Sequence, residues 1–114
     1  MDRALGEFEQ LILFALVELE EKAYGASIGR AIERRTGRQV SAGAIYTALA
    51  RLAARELVTA EVGSPTPERG GRRRKYYRLE PAGAAALSRS VDLMHTMSKG
   101  LLPKLAGIAG DEPQ

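Results

Sequence analysis

The sequence predicts a mainly α-helical fold with a single β-hairpin, and three observations predict it. Apolar residues recur at three-and-four spacing in several separate stretches, the period of a helix with one buried face. Leu57 to Val62 alternates instead, the period of a strand. After it comes GSPTPERGG, Gly63 to Gly71, with two prolines and three glycines in nine residues, and then a second strand-like run. The 114 residues are a one-domain length, and no internal repeat or second domain is visible.

The first helix spans Leu5 to Glu20. Leu5, Phe8, Ile12, Ala15, Leu16 and Leu19 share one face, and Leu11, Leu13, Phe14 and Val17 extend the apolar surface beyond it. A helix apolar around most of its girth needs cover on two sides, one from its own core and one from a partner chain. The second helix runs from about Tyr24 to Thr36, with Ile28, Ala31 and Ile32 inward and Gly37 placed for a left-handed cap. The third follows Ser41, a good N-cap residue, although Ala44 stands where a capping box wants an acid. Its inward residues are Ile45, Leu49 and Leu52. Its outer face carries Gly43, Tyr46, Thr47, Ala50 and Arg51, with no acid between Val40 and Arg55.

In the hairpin, Tyr77 and Leu79 face inward while Tyr76 and Arg78 face outward. Pro81 suits the first turn of a fourth helix, where Leu87, Val91, Met94 and Leu101 form a stripe beside Leu93 and Met97. Their spacing is close to a coiled-coil seam, but Gly100 and Pro103 weaken or end it. These elements divide the chain into a unit of three helices and a hairpin over 1–80, a C-terminal helix over 81–106 that is expected to dimerise, and a flexible tail over 107–114.

Composition excludes several functions. No cysteine is present, only one histidine (His95), and no clustered acid–base set, so no catalytic constellation or metal site can be assembled and no cofactor is expected. The longest apolar run, Leu11 to Val17, is far short of a membrane span. The start lacks the basic region of a secretion signal, so a cytoplasmic protein is expected.

Charge is segregated. Residues 1–21 carry a net −5, residues 22–80 a net +8, and residues 81–114 balance. Arg69, Arg72, Arg73, Arg74, Lys75 and Arg78 place six positive charges within ten residues. A charge run is usually a solvated face, but mutual repulsion at this density would be relieved by a phosphate backbone.

Three helices followed by a basic, glycine-tipped hairpin is the order of a winged helix-turn-helix, here with a C-terminal dimerisation helix. The third helix suits the major groove, where small polar side chains approach base edges. The wing suits phosphates. The expected DNA contacts are Ser41, Gly43, Tyr46, Thr47 and Arg51 on the helix, with Arg72, Arg74 and Lys75 on the wing. Arg72 and Arg74 are favoured over Arg73 because they share a strand face with outward Tyr76. Leu11, Phe14, Leu87, Val91, Met94 and Leu101 are expected at a homodimer interface. Each residue has a plainer alternative. Tyr46 can be a core tyrosine, Arg51 a surface ion pair with Glu33 or Glu56, and the triple arginine a processing tract. Tyr76 and Tyr77 read more simply as sheet packing than as base stackers. A winged-helix protein-interaction module without DNA binding is the competing function, and it should carry acids on the faces named here.

The chain resembles the PadR family of bacterial regulators from residue 5 to about residue 90. The matching pieces stand in order: LGEFE at Leu5–Glu9, AYG at Ala23–Gly25, VSAGAIYTALARL at Val40–Leu52, Leu57–Val58, ERGGRRRKYYRL at Glu68–Leu79, and Gly83. The resemblance adds Tyr24 to the expected DNA contacts. It implies a dimeric repressor on double-stranded DNA, often released by a small-molecule effector. Two departures stand out. Glu56 replaces the glycine usual before Leu57, so the third helix is expected to end differently. The short C-terminal region suits the branch with one dimerisation helix.

Overall fold

A computed structural model describes residues 4–63 and 73–110. Helix α1 covers Glu7–Leu19, and a 3-10 turn, Glu20–Lys22, leads to α2, Gly25–Thr36. Helix α3 is Ala42–Ala54. Strands β1, Val58–Val62, and β2, Lys75–Leu79, pair antiparallel, with Val58 opposite Leu79 and Ala60 opposite Tyr77. Helix α4, Pro81–Ser98, and helix α5, Leu102–Ala109, complete the chain. The mainly helical fold with a hairpin wing is as the sequence predicts.

Local chemistry sets most boundaries. The Glu9 carboxylate accepts from the Gly6 N–H at 2.8 Å, closing the start of α1. The Ser27 hydroxyl accepts from the Tyr24 N–H at 2.9 Å and donates to the Lys22 carbonyl at 2.8 Å, so this buried polar group is satisfied. Gly37, at φ 76°, caps α2, and its N–H reaches the Glu33 carbonyl at 2.7 Å. Ser41 accepts from the Ala44 N–H at 3.1 Å, as its cap role requires.

The end of α3 corrects the expectation attached to Glu56. Glu56 adopts the left-handed conformation at φ 60°. Its N–H bonds the Ala53 carbonyl at 2.9 Å, and the Leu57 N–H bonds the Leu52 carbonyl at 3.0 Å. That is the closure a glycine would make, with Leu52 and Leu57 both buried across it. The pull of Leu57 and Val58 into the core holds a glutamate where glycine is more comfortable.

The core joins Ile12, Leu13 and Leu16 of α1 to Ile28 and Ile32 of α2, Ile45, Leu49 and Leu52 of α3, Val58 and Tyr77 of the hairpin, and Ala86 and Leu87 of α4. Leu13 is thus a core residue, while Phe14 and Val17 remain about half exposed at 48% and 53%. Leu87, expected at a dimer interface, is only 5% exposed and belongs to the core of its own subunit. It lies within the first two turns of α4, which lean on the body; Gly83 there packs so closely on the Leu57 carbonyl that a side-chain carbon would overlap it.

Beyond Leu87 the two C-terminal helices bury nothing. The radius of gyration is 16.9 Å, against roughly 13 Å for a compact chain of this length, and the longest axis is 54 Å. The expected single helix to residue 106 is two helices broken at Gly100, φ 76°. Pro103 sits in the first turn of α5, where its missing N–H costs nothing, so it opens a helix instead of ending one. Residues 107–109, expected in a tail, are helical.

Candidate nucleic-acid interface

Helix α3 divides as its periodicity dictates. Ile45, Ala48, Leu49 and Leu52 are buried, whereas Ser41, Gly43, Tyr46, Thr47, Ala50 and Arg51 are exposed. A side-chain carbon at Gly43 would meet nothing within 4 Å, so nothing within the fold requires glycine there. Arg51 forms no ion pair among the described residues. Tyr46 is half exposed, yet its hydroxyl end crosses Gly25, where a side-chain carbon would lie 2.5 Å from the phenol oxygen. The buried Gly25 therefore leaves room for Tyr46, and α2 begins directly beneath the outer face of α3.

Beside Gly25 stands Tyr24. It bridges to Tyr76 of β2, and the Tyr77 N–H donates to the Ala23 carbonyl at 2.8 Å, so this segment adds a short third edge to the hairpin. The Tyr24 and Tyr76 rings meet edge to face at 5.7 Å. The Arg74 guanidinium lies over the Tyr24 ring, 3.9 Å from its centroid, and an Arg30 N–H donates to the Tyr24 hydroxyl at 2.8 Å. Tyr77 is buried; burial pushes its hydroxyl pKa up, and Tyr46 nearby pushes in the same direction. Both wing tyrosines therefore pack the sheet, as their simpler reading has it. Lys75 is exposed with its ammonium 5.9 Å from the Tyr77 ring, and Arg73 is exposed beside it. Arg72 lies outside the described residues.

The structure sorts the cations in a way that composition does not. Glu18 of α1 pairs with Arg34 at 2.6 Å and with Arg35, and together they hold its carboxyl below the usual carboxylate range. Glu7 pairs with Arg38 at 2.8 Å, and Glu61 lies 3.9 Å from Arg78. Arg30, Arg51, Arg73, Arg74 and Lys75 have no carboxylate partner among the described residues. Acids of α1 thus neutralise the far end of α2, while unpaired cations remain at the middle of α2, on α3 and on the wing. The sequence reading misses Arg30. Glu33, three residues on, would suggest an ordinary surface pair, but the side chain turns to Tyr24 instead.

Of the remaining expected interface residues, Leu11 and Phe14 line an apolar groove of about 400 Å³ between α1 and α2, together with Val17 and Ile32. Val91 and Met94 of α4 are exposed, as is Leu101 in the turn between α4 and α5. No group of three metal-ligating side chains occurs among the described residues, and no described helix is long and apolar enough to cross a membrane.

The PadR-like family of transcriptional regulators matches residues 12–89. This chain belongs to that family. Solved PadR family regulators have the same architecture. One from Clostridium difficile R20291 is 26% identical, with a TM-score of 0.70 over 88% of this chain and 99% of that one. Another, from Eggerthella lenta DSM 2243, is 26% identical, with a TM-score of 0.65 over 83% of this chain and 82% of that one. An uncharacterised 37.1 kDa protein in transposon TN4556 of Streptomyces fradiae is 36% identical over 90 residues. This PadR-family chain spans 24% of that relative's length. The chain accordingly has the fold of the PadR-like transcriptional regulators.

Proposed function

We propose that this PadR-family regulator is a repressor that binds an inverted-repeat operator as a homodimer. Ser41, Gly43, Tyr46, Thr47 and Arg51 of α3 enter the major groove, while Tyr24, Arg72, Arg74 and Lys75 track the backbone. The observation that carries this reading is the exposed, acid-free face of α3, with an unhindered glycine at its start and unpaired cations around it. The exposed apolar residues of α1 and α4 support a two-fold dimer, which presents two recognition helices about one DNA turn apart. Release from the operator by a small molecule completes the reading.

Selection of bound duplexes from a random pool, followed by footprinting, tests it. The expected result is an inverted repeat with protected half-sites. Gly43→Glu should abolish binding while the circular dichroism spectrum and Tm stay unchanged, because only the DNA would meet the new side chain. Selection of no sequence, or a Gly43→Glu variant that binds normally, refutes the reading. Met94→Asp should shift the sedimenting species from dimer to monomer and weaken operator binding with it.

A further inference from the structure

Two of the described cations without a carboxylate partner converge on one ring. Arg30 and Arg74 come from different elements, one from α2 and one from the wing, and both are held by the same tyrosine. Arg74 stacks on the Tyr24 face at 3.9 Å, and Arg30 reaches the hydroxyl of that ring at 2.8 Å with its guanidinium carbon 5.8 Å from the centroid. Tyr76, edge-on at 5.7 Å, holds the ring from another side. Two guanidinium groups brought to one ring repel each other, and neither forms an ion pair among the described residues, although the Glu21 carboxylate also lines this groove. Glu61, which lines the same groove, is turned to Arg78. A stacked guanidinium keeps its edge N–H groups free, and one that spends a single donor on a hydroxyl keeps the others.

The groove these donors line is open, about 770 Å³, and runs from the start of α2 to the hairpin. It adjoins the face of α3, because Tyr24 neighbours Gly25 and Gly25 lies under the Tyr46 hydroxyl. A duplex seated on α3 would therefore bring its backbone along this groove. We propose that Arg30 and Arg74, braced on Tyr24, form a two-pronged clamp in each protomer for a single phosphodiester of its DNA half-site. The clamp rests on the duplex-binding reading above. It makes Tyr24 a positioning residue, and it ties the wing to α2 through one shared anion.

The test is a methylphosphonate scan of the selected operator, replacing one charged phosphate at a time, with wild type, Arg30→Ala, Arg74→Ala and the double variant. One position in each half-site should weaken wild-type binding and have no effect in any of the three variants. Each single variant removes one phosphate contact per protomer and should lower the magnitude of the log affinity against log salt slope by about 1.8 for the dimer, and the double variant should lower it by no more than those two phosphates' worth. Tyr24→Phe, which keeps the ring and drops the hydroxyl, should reproduce the Arg30→Ala slope without lowering Tm. Independent, additive slope losses would overturn the shared clamp, as would a methylphosphonate penalty that persists in the variants. Saturable binding of inorganic phosphate to the DNA-free protein, lost in Arg30→Ala while the DNA salt slope stays unchanged, would make this a free-anion site and also overturn it. Wild-type protein that binds no duplex would overturn the parent reading and the clamp together. Unchanged slopes in variants that still bind would overturn the clamp alone.

Discussion

The body of this regulator and its C-terminal arm use apolar residues in opposite ways. In the body, α1, α2, α3 and the hairpin close around Ile12, Leu13, Ile28, Leu49, Leu52 and Val58, each essentially without solvent contact. In the arm, Leu93, Met94, Met97, Leu105 and Ile108 are all more than 60% exposed, and nothing past Leu87 is buried. The body is a finished core. The arm is half of one. The same kind of helix, with a similar share of apolar residues, is a stable packing unit in the first case and an offered surface in the second. What differs is the number of neighbours the chain itself provides.

The largest expected effect lies in the contrast itself. Leu49→Ala removes a fully buried side chain from the junction of three helices and should cost about 2–5 kcal/mol in urea unfolding. Met97→Ala, 71% exposed on the arm, should change the unfolding of the isolated subunit by no more than about 0.5 kcal/mol. Comparable losses at both sites, measured at a concentration that keeps the chain monomeric, would show that the arm packs on its own body.

The hinge between the two regions comes next. A side-chain carbon at Gly83 would overlap the Leu57 carbonyl and lie 2.8 Å from a Leu79 methyl carbon. Gly83→Ala should therefore cost about 1–3 kcal/mol, since backbone on the facing side cannot swing away. An unchanged Tm would mean that α4 tilts off the hairpin freely, and the body would then end before α4.

Glu56 offers a gain instead of a loss. Its left-handed conformation disfavours any side chain, so Glu56→Gly should stabilise the body by about 1 kcal/mol, seen as a higher urea midpoint with an unchanged slope. A loss of stability would assign Glu56 a favourable contact that outweighs its backbone cost.

The smallest effect is electrostatic and confined to the back of the body. Arg35 and Arg34 lower the Glu18 carboxyl pKa in the folded state, so the group favours folding above the ordinary carboxylate pKa. That contribution fades as pH falls through the lowered folded value. The Tm difference between wild type and Glu18→Gln should be small at neutral pH, vanish in acid, and shrink with added salt because the site is open to solvent. A difference that persisted in acid would point to packing, not charge.

Much of this architecture was legible before any tertiary contact was known, and particular residues show why. Ser41 caps α3, Gly37 closes α2 and Ile45, Leu49 and Leu52 turn inward, because capping and helical periodicity act within a few residues of the chain. The candidate interface was legible to the same depth. The outer face of α3 follows from its inner face, and the charge of the wing follows from its letters.

What the letters left open was decided by neighbours distant in sequence. Leu87 and Met94 share one stripe, yet only Leu87 reaches the body, because α4 leaves the hairpin after two turns. Arg38 is neutralised by Glu7, 31 residues away, while Arg30 passes over Glu33 to meet Tyr24. Arg74 lies on the Tyr24 face because β2 pairs with the segment before α2. Sequence by itself determined where α2, α3 and α4 begin, which face of each is apolar and where positive charge is concentrated, since those depend on spacing and composition. Only the tertiary structure decided which apolar face is covered and which cation is left without a partner, since burial and ion pairing depend on what the rest of the chain brings within a few ångströms.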